Sequence, residues 1–254
     1  MEHADPAPQG ETVWLEIGAY FASVGRYEQA IACFSKAIEE NPRSSHGWTS
    51  KGYCLDRLGR SMEAIECCDQ GLSLDPTNTD ALFTKGKSLS HLGHLEDALT
   101  ILEILTRLDP HHPEAWYVMG NCSYHLGAYQ NAIDLYKRAI ECDPGFVKAW
   151  YNKGINYADL SRFEDAIRCY DRCLQYNPGY GAIWGSKGTS LAALSRFEEA
   201  VACFQRAIEI NPRDVSAWMN KGRCLRKLSR LDEAEECFAR ARSLPRRHEL
   251  SDLL

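Results

Sequence analysis

The chain has 254 residues, of which 44% are hydrophobic and 25% charged, and a formal net charge of −6. That apolar content supports a large buried core, and the acidic balance excludes a surface that grips nucleic acid along its whole length. No apolar run reaches the ~18 residues of a membrane-spanning helix. Met1–Gly10 contains two prolines and lacks the basic and apolar regions of a signal peptide, so it reads as a disordered lead-in.

From Glu11 a unit of 34 residues recurs seven times without a gap, over 11–44, 45–78, 79–112, 113–146, 147–180, 181–214 and 215–248, leaving a tail at 249–254. Position 8 is glycine in every unit, from Gly18 to Gly222, and position 20 is alanine in every unit, from Ala30 to Ala234. Position 4 holds all six tryptophans, with Leu82 in the third unit. Positions 4, 8 and 11 fall on one face of a helix, and positions 17, 20, 21, 24, 27 and 28 on one face of a second. Glycine inside a helix costs about 1 kcal/mol relative to alanine, so its recurrence predicts a close approach of the paired helices at positions 8 and 20. The large residues at 4, 11 and 24 then fill the space on either side.

Asn or Asp followed by Pro at positions 31 and 32 ends the second helix in six units, because proline keeps the residue before it out of the helical region. Between the helices stand Gly25, Gly59, Gly93 and Gly127, then Ser161, Ser195 and Ser229. Ser161–Glu164 and Ser195–Glu198 have the spacing of capping boxes, with a weaker version at Ser229 and Asp232.

In chain order, the first unit is regular. The second carries Cys68 at position 24 and Gly71 at position 27, which predicts looser packing of its second helix. The third is the most divergent, with Leu82, Leu102 and Thr106 at packing positions, and is the expected weak point. The fourth has Ser123 at position 11, and the fifth and sixth are nearly regular. In the seventh, Glu235 and Arg242 replace the apolar residues of positions 21 and 28. That charged face predicts the end of the array, as terminal repeats require for solubility, and a monomeric chain.

The eleven cysteines follow the same register. Cys33, Cys67, Cys169, Cys203 and Cys237 share position 23, and Cys54, Cys122 and Cys224 share position 10. They read as small buried hydrophobes, with reduced thiols and a cytoplasmic location as the expectation. Cys67 and Cys68 are the pair to watch for oxidation. No Cys-x-x-Cys occurs, His91, His111, His112 and His125 read as solvated polar groups, and neither a metal nor a cofactor is expected. No nucleophile–base constellation or phosphate-binding loop is present, which argues against an enzyme.

The period and the residues at positions 4, 8, 11, 20, 24 and 32 resemble the tetratricopeptide repeat family over residues 11–248. The resemblance implies an all-α fold, an α-solenoid forming a right-handed superhelix of seven antiparallel helix pairs. It also implies that first helices line a concave groove in which an extended peptide or a partner's helix binds.

The face of each first helix left free by its packing stripe is positions 2, 5, 6, 9, 12 and 13. The first unit contributes Leu15 and Ala19. The next four contribute Tyr53, Phe83, Lys87, Tyr117, Asn121, Tyr124, Tyr151 and Asn152. The sixth offers small residues (Gly185, Ser186, Thr189, Ala192, Ala193), and the seventh Met219 with Asn220, Arg223, Arg226 and Lys227. Aromatic rings give a peptide contact area at small entropic cost, and asparagine can pair with a peptide backbone. The same tyrosines could instead pack between neighbouring first helices. One subclass of the family holds a C-terminal carboxylate with two lysines, two asparagines and an arginine. Asn121 and Asn152 match its asparagines, but Tyr117, Ala182 and Ser186 stand where the cations belong, so that clamp is absent.

Residues 215–248 hold nine Lys/Arg against four Asp/Glu, unlike the acidic remainder. Two functional readings result. The first is a non-catalytic scaffold binding a protein or peptide in its groove. The second is a regulatory or targeting subunit that docks an enzyme or an acidic partner through the basic C-terminal repeat.

Overall fold

The computed structural model describes residues 9–244, so residues 1–8 of the expected lead-in, 245–248 of the seventh unit and the tail 249–254 lie outside the described residues. Among the described residues there are fourteen α-helices and no strand. They are α1 (Gln9–Ser23), α2 (Tyr27–Glu40), α3 (Ser45–Arg57), α4 (Ser61–Leu74), α5 (Thr79–His91), α6 (Leu95–Leu108), α7 (Pro113–His125), α8 (Tyr129–Cys142), α9 (Val147–Asp159), α10 (Phe163–Tyr176), α11 (Gly181–Ala193), α12 (Phe197–Ile210), α13 (Val215–Lys227) and α14 (Leu231–Ser243). Each 34-residue unit supplies one odd-numbered first helix and one even-numbered second helix, the arrangement of an α-solenoid. Gln9 and Gly10 are helical rather than part of a disordered lead-in.

The helices gather into two compact units, one ending at Ala128 and one beginning at Tyr129. The first contains α1–α7 and the second α8–α14. Within each, every helix packs on the next one in sequence, and each first helix also touches the following first helix: α1 with α3, α3 with α5, α5 with α7, α9 with α11 and α11 with α13. Among the described residues no second helix approaches the next second helix comparably, so the first helices form the closer-packed layer of each unit.

The glycine at position 8 seats a side chain of the second helix, an aromatic ring at Gly18, Gly154, Gly188 and Gly222 and Leu102 at Gly86. At Gly52 the added Cβ would also lie 3.1 Å from the Ala64 backbone carbonyl, the expected close approach of positions 8 and 20. A Cβ on Gly154 would lie 2.5 Å from the Tyr170 ring, one on Gly18 2.6 Å from Phe34, and one on Gly222 2.6 Å from Phe238. In the second pair, a Cβ on Gly71 would lie 2.9 Å from the Thr49 hydroxyl. Gly71 therefore lets α4 close on α3 instead of loosening it, and Cys68 is fully buried. In the third pair Leu102 and Leu105 are likewise fully buried.

The tryptophans pack against the edges of these cores, Trp48 on the cluster of Leu55, Ala64 and Cys67 and Trp150 on that of Ala166, Tyr170 and Cys173. They are half-buried, and the indole Nε1 of Trp48 donates to the Pro42 carbonyl at 3.1 Å, with Trp116, Trp150, Trp184 and Trp218 repeating the bond to Pro110, Pro144, Pro178 and Pro212. Each ties its helix to the turn that precedes it. Those turns are shaped by position 31: the side chains of Asn41, Asp75, Asp109, Asp143 and Asn211 each accept a bond from the backbone N–H two residues on.

The serines of the later pairs are not capping boxes. Ser161, Ser195 and Ser229 take φ of 58°, 60° and 59°, the left-handed conformation that Gly25, Gly59, Gly93 and Gly127 take earlier. They close the first helix: the Arg162 N–H bonds back to Tyr157, Arg196 to Leu191 and Arg230 to Leu225, as Arg60 does to Leu55. No side chain caps α10, α12 or α14. Instead Arg162 pairs with Asp165, Arg196 with Glu199 and Arg230 with Glu233 across their first turns.

Candidate functional site

In the first unit the faces of α1, α3 and α5 enclose a cavity of about 380 Å³, lined by Ala19, Ala22, Phe34, His46, Thr49, Ser50, Tyr53, Asp80, Phe83 and Thr84. Two predicted groove residues, Tyr53 and Phe83, meet here. Tyr53 is 44% exposed. Phe83 is half-buried, with its ring centroid 4.7 Å from that of His112. His112 is not the solvated polar group its sequence suggests: its Nδ1 accepts the Ala115 N–H at 3.2 Å and caps α7.

Lys87 has a structural partner. Its Nζ lies 2.7 Å from Oδ2 of Asp56 on the preceding first helix, and the Ser88 hydroxyl donates to Oδ1 of the same carboxylate at 3.0 Å. His91 Nδ1 stands 3.4 Å from Asp56, so that histidine too belongs to an interhelical cluster. Tyr117, Asn121 and Tyr124 are half-buried on α7.

In the second unit the Tyr151 hydroxyl is 3.2 Å from the Ser186 hydroxyl on α11, and its ring centroid is 5.9 Å from that of Tyr170. Tyr151 thus follows the packing alternative, joining neighbouring first helices. Asn152 is half-buried on α9. On α13, Arg223 donates to the Asn220 side chain at 3.2 Å. Arg226 and Lys227 are exposed and, among the described residues, have no acidic partner, whereas Arg230 and Arg242 pair with Glu233 and Glu235. Of the predicted residues, Tyr53 and Phe83 line the cavity of one unit and Asn220, Arg223, Arg226 and Lys227 share α13 in the other, while Lys87, Tyr117, Asn121, Tyr124, Tyr151 and Asn152 are not part of the cavity lining.

None of the eleven cysteines is in a disulfide, and all but Cys142 are buried. Burial pushes Cys54 and Cys169 up to about 11 and Cys68 and Cys173 up to about 12. These thiols are protonated packing groups, and Cys68 is poorly placed for oxidation. Among the described residues no three His, Cys, Asp or Glu side chains are positioned to hold a metal ion, and no helix is long and apolar enough to cross a membrane.

The sequence matches a tetratricopeptide repeat model over residues 83–145 and 186–247 and a second such model over 147–180. It also matches a model described as anaphase-promoting complex, cyclosome, subunit 3, over 23–105. No curated protein matches the chain. Among solved structures, MamA is 27% identical over 66% of this chain and 92% of its own, with a TM-score of 0.61. YrrB, a tetratricopeptide repeat protein with an unusual peptide-binding site, is 22% identical over 72% of this chain and 95% of its own, with a TM-score of 0.62. A tetratricopeptide repeat protein from Parabacteroides merdae is 18% identical over 97% of both chains, with a TM-score of 0.67.

Proposed function

Because the chain belongs to the tetratricopeptide repeat family, we propose that it is a non-catalytic protein-interaction scaffold that binds an extended peptide or a partner helix on its first-helix face. The observation that carries this reading is the open cavity between α1, α3 and α5, where Tyr53 and Phe83 offer aromatic surface beside the hydroxyls of Ser50 and Thr84. Concave sites with apolar walls and a few polar groups are where proteins take up side chains of a partner. The likeness to YrrB supports the fold on which such a site sits. Eleven cysteines outside any disulfide accord with a reducing, cytoplasmic setting.

A second reading rests on α13. Arg223, Arg226 and Lys227 stand exposed on it, and among the described residues none of the three is paired with a carboxylate that an acidic partner segment would have to displace. The two readings separate by selection of random peptides on the immobilised chain. If Tyr53→Ala with Phe83→Ala abolishes capture of the selected peptides and Arg223→Glu with Arg226→Glu does not, the cavity is the binding surface. The reverse assigns binding to α13, and loss of capture in neither variant rejects both.

A further inference from the structure

The cavity of the first unit is lined by three aromatic rings and one carboxylate, and its lining contains no lysine or arginine. We propose that it is a site for an arginine or lysine side chain of a partner peptide, an inference that rests on the groove reading above. The rings are those of Phe34, Tyr53 and Phe83, and the carboxylate is Asp80; His46 is the other titratable group on the wall. Asp80 is exposed on α5 and, among the described residues, has no cationic partner. The neighbouring Asp56, by contrast, is satisfied by Lys87 and Ser88. A long basic side chain lays its methylenes along apolar walls while its charge meets ring faces and a carboxylate at the rim.

Two further observations point to the same ligand. Several rings elsewhere carry one of the chain's own cations: Lys36 lies 4.1 Å from the Trp14 ring centroid, Arg57 5.4 Å from Tyr27 and Arg162 4.6 Å from Tyr157. Among the described residues no cation lies over Tyr53, which leaves its exposed ring available to a cation from outside. Charge complementarity agrees. Residues 1–128 carry eighteen Asp/Glu against nine Lys/Arg, whereas residues 129–254 carry seventeen against twenty. The half of the sequence that bears the cavity is the acidic one, and it draws basic segments toward it.

The test uses the full chain and four capped heptapeptides, Ser-Gly-Ser-X-Ser-Gly-Ser, with X as arginine, citrulline, leucine or glutamate. Binding is followed through the aromatic resonances of Tyr53 and Phe83. The arginine peptide is expected to bind about ten-fold more tightly than citrulline, which keeps the shape and loses the charge. Asp80→Asn, a substitution of an exposed side chain, should remove most of that preference while leaving citrulline binding unchanged. Leucine binding as tightly as arginine, or an arginine preference untouched by Asp80→Asn, overturns the cationic site and leaves the groove reading standing. Absence of any shift with all four peptides also overturns it. Failure of the groove reading itself appears separately, as selected peptides whose capture survives Tyr53→Ala with Phe83→Ala.

Discussion

Lys87 Nζ sits 2.7 Å from Oδ2 of Asp56, a carboxylate whose side chain is only 2% exposed. A residue that the repeat register assigns to a binding face is thereby the counter-charge of a buried acid. Removing one partner of such a pair leaves an uncompensated charge. Lys87→Ala is expected to destabilise the first unit by about 2–4 kcal/mol, with Ser88 retaining one hydrogen bond to the carboxylate. A downward shift of the urea midpoint, together with unchanged peptide binding at concentrations of denaturant where the variant stays folded, checks this.

Gly154 is a ring seat. Alanine there would place its Cβ 2.5 Å from Tyr170, far inside contact distance, and Tyr170 is 1% exposed with no room to withdraw. The gain in helix propensity does not offset the overpacking, so Gly154→Ala should cost about 1–3 kcal/mol in denaturant unfolding. Gly185, which faces open space on α11, serves as the control, and Gly185→Ala should be stabilising.

Ser161, at φ 58°, holds a conformation that earlier pairs give to glycine. Left-handed backbone costs a residue with a Cβ about 1–2 kcal/mol, part of which glycine returns through its freer unfolded chain. Ser161→Gly should therefore raise stability by about 0.5–1 kcal/mol. If the serine were a cap for α10, the same change would lower it.

Position 10 gives a matched comparison along the chain. Cys54 is fully buried, whereas Tyr20 at the same position of the first repeat is 64% exposed. Tyr20→Ser should change stability by less than about 0.5 kcal/mol, and Cys54→Ser should cost about 1–3 kcal/mol by burying a hydroxyl in an apolar contact. Asn156, again at position 10, is buried with its Oδ1 unpaired. Asn156→Cys, the residue of sibling repeats, should stabilise by about 1 kcal/mol. Thermal midpoints of the three variants decide.

The buried thiols predict a pH dependence. Below pH 9 they are protonated in both states. Above it the unfolded thiols ionise from 9.0, while Cys54 and Cys169 hold their protons to about 11 and Cys68 and Cys173 to about 12. The unfolded chain then binds fewer protons, so stability falls as pH rises from 9 toward 12. Consistently, Ellman's reagent at pH 8 should titrate Cys142 ahead of the buried thiols, and all eleven only in denaturant.

Much of the fold is legible in the period. Thirty-four residues, with glycine, alanine and an Asn/Asp-Pro pair at set positions, specify two helices and two turns per unit. Local chemistry was harder to read. The Ser-x-x-Glu spacing imitates a capping box, yet the serine itself is the left-handed residue that closes the first helix, and the N-cap falls on the arginine after it. The tryptophan role had a signal in the sequence: each of the five that bonds a turn follows a proline by six residues.

The candidate site divides along the same line. The order of residues along the chain determined which side of each first helix lies away from its own partner helix, because helical periodicity is local. Only tertiary structure decided which of those side chains a neighbour already occupies. Lys87 is taken by Asp56 and Tyr151 meets Ser186, across 31 and 35 residues, while Tyr53 remains open. The stagger between successive helices sets those distances, and a stagger is a property of packed surfaces that no single helix carries.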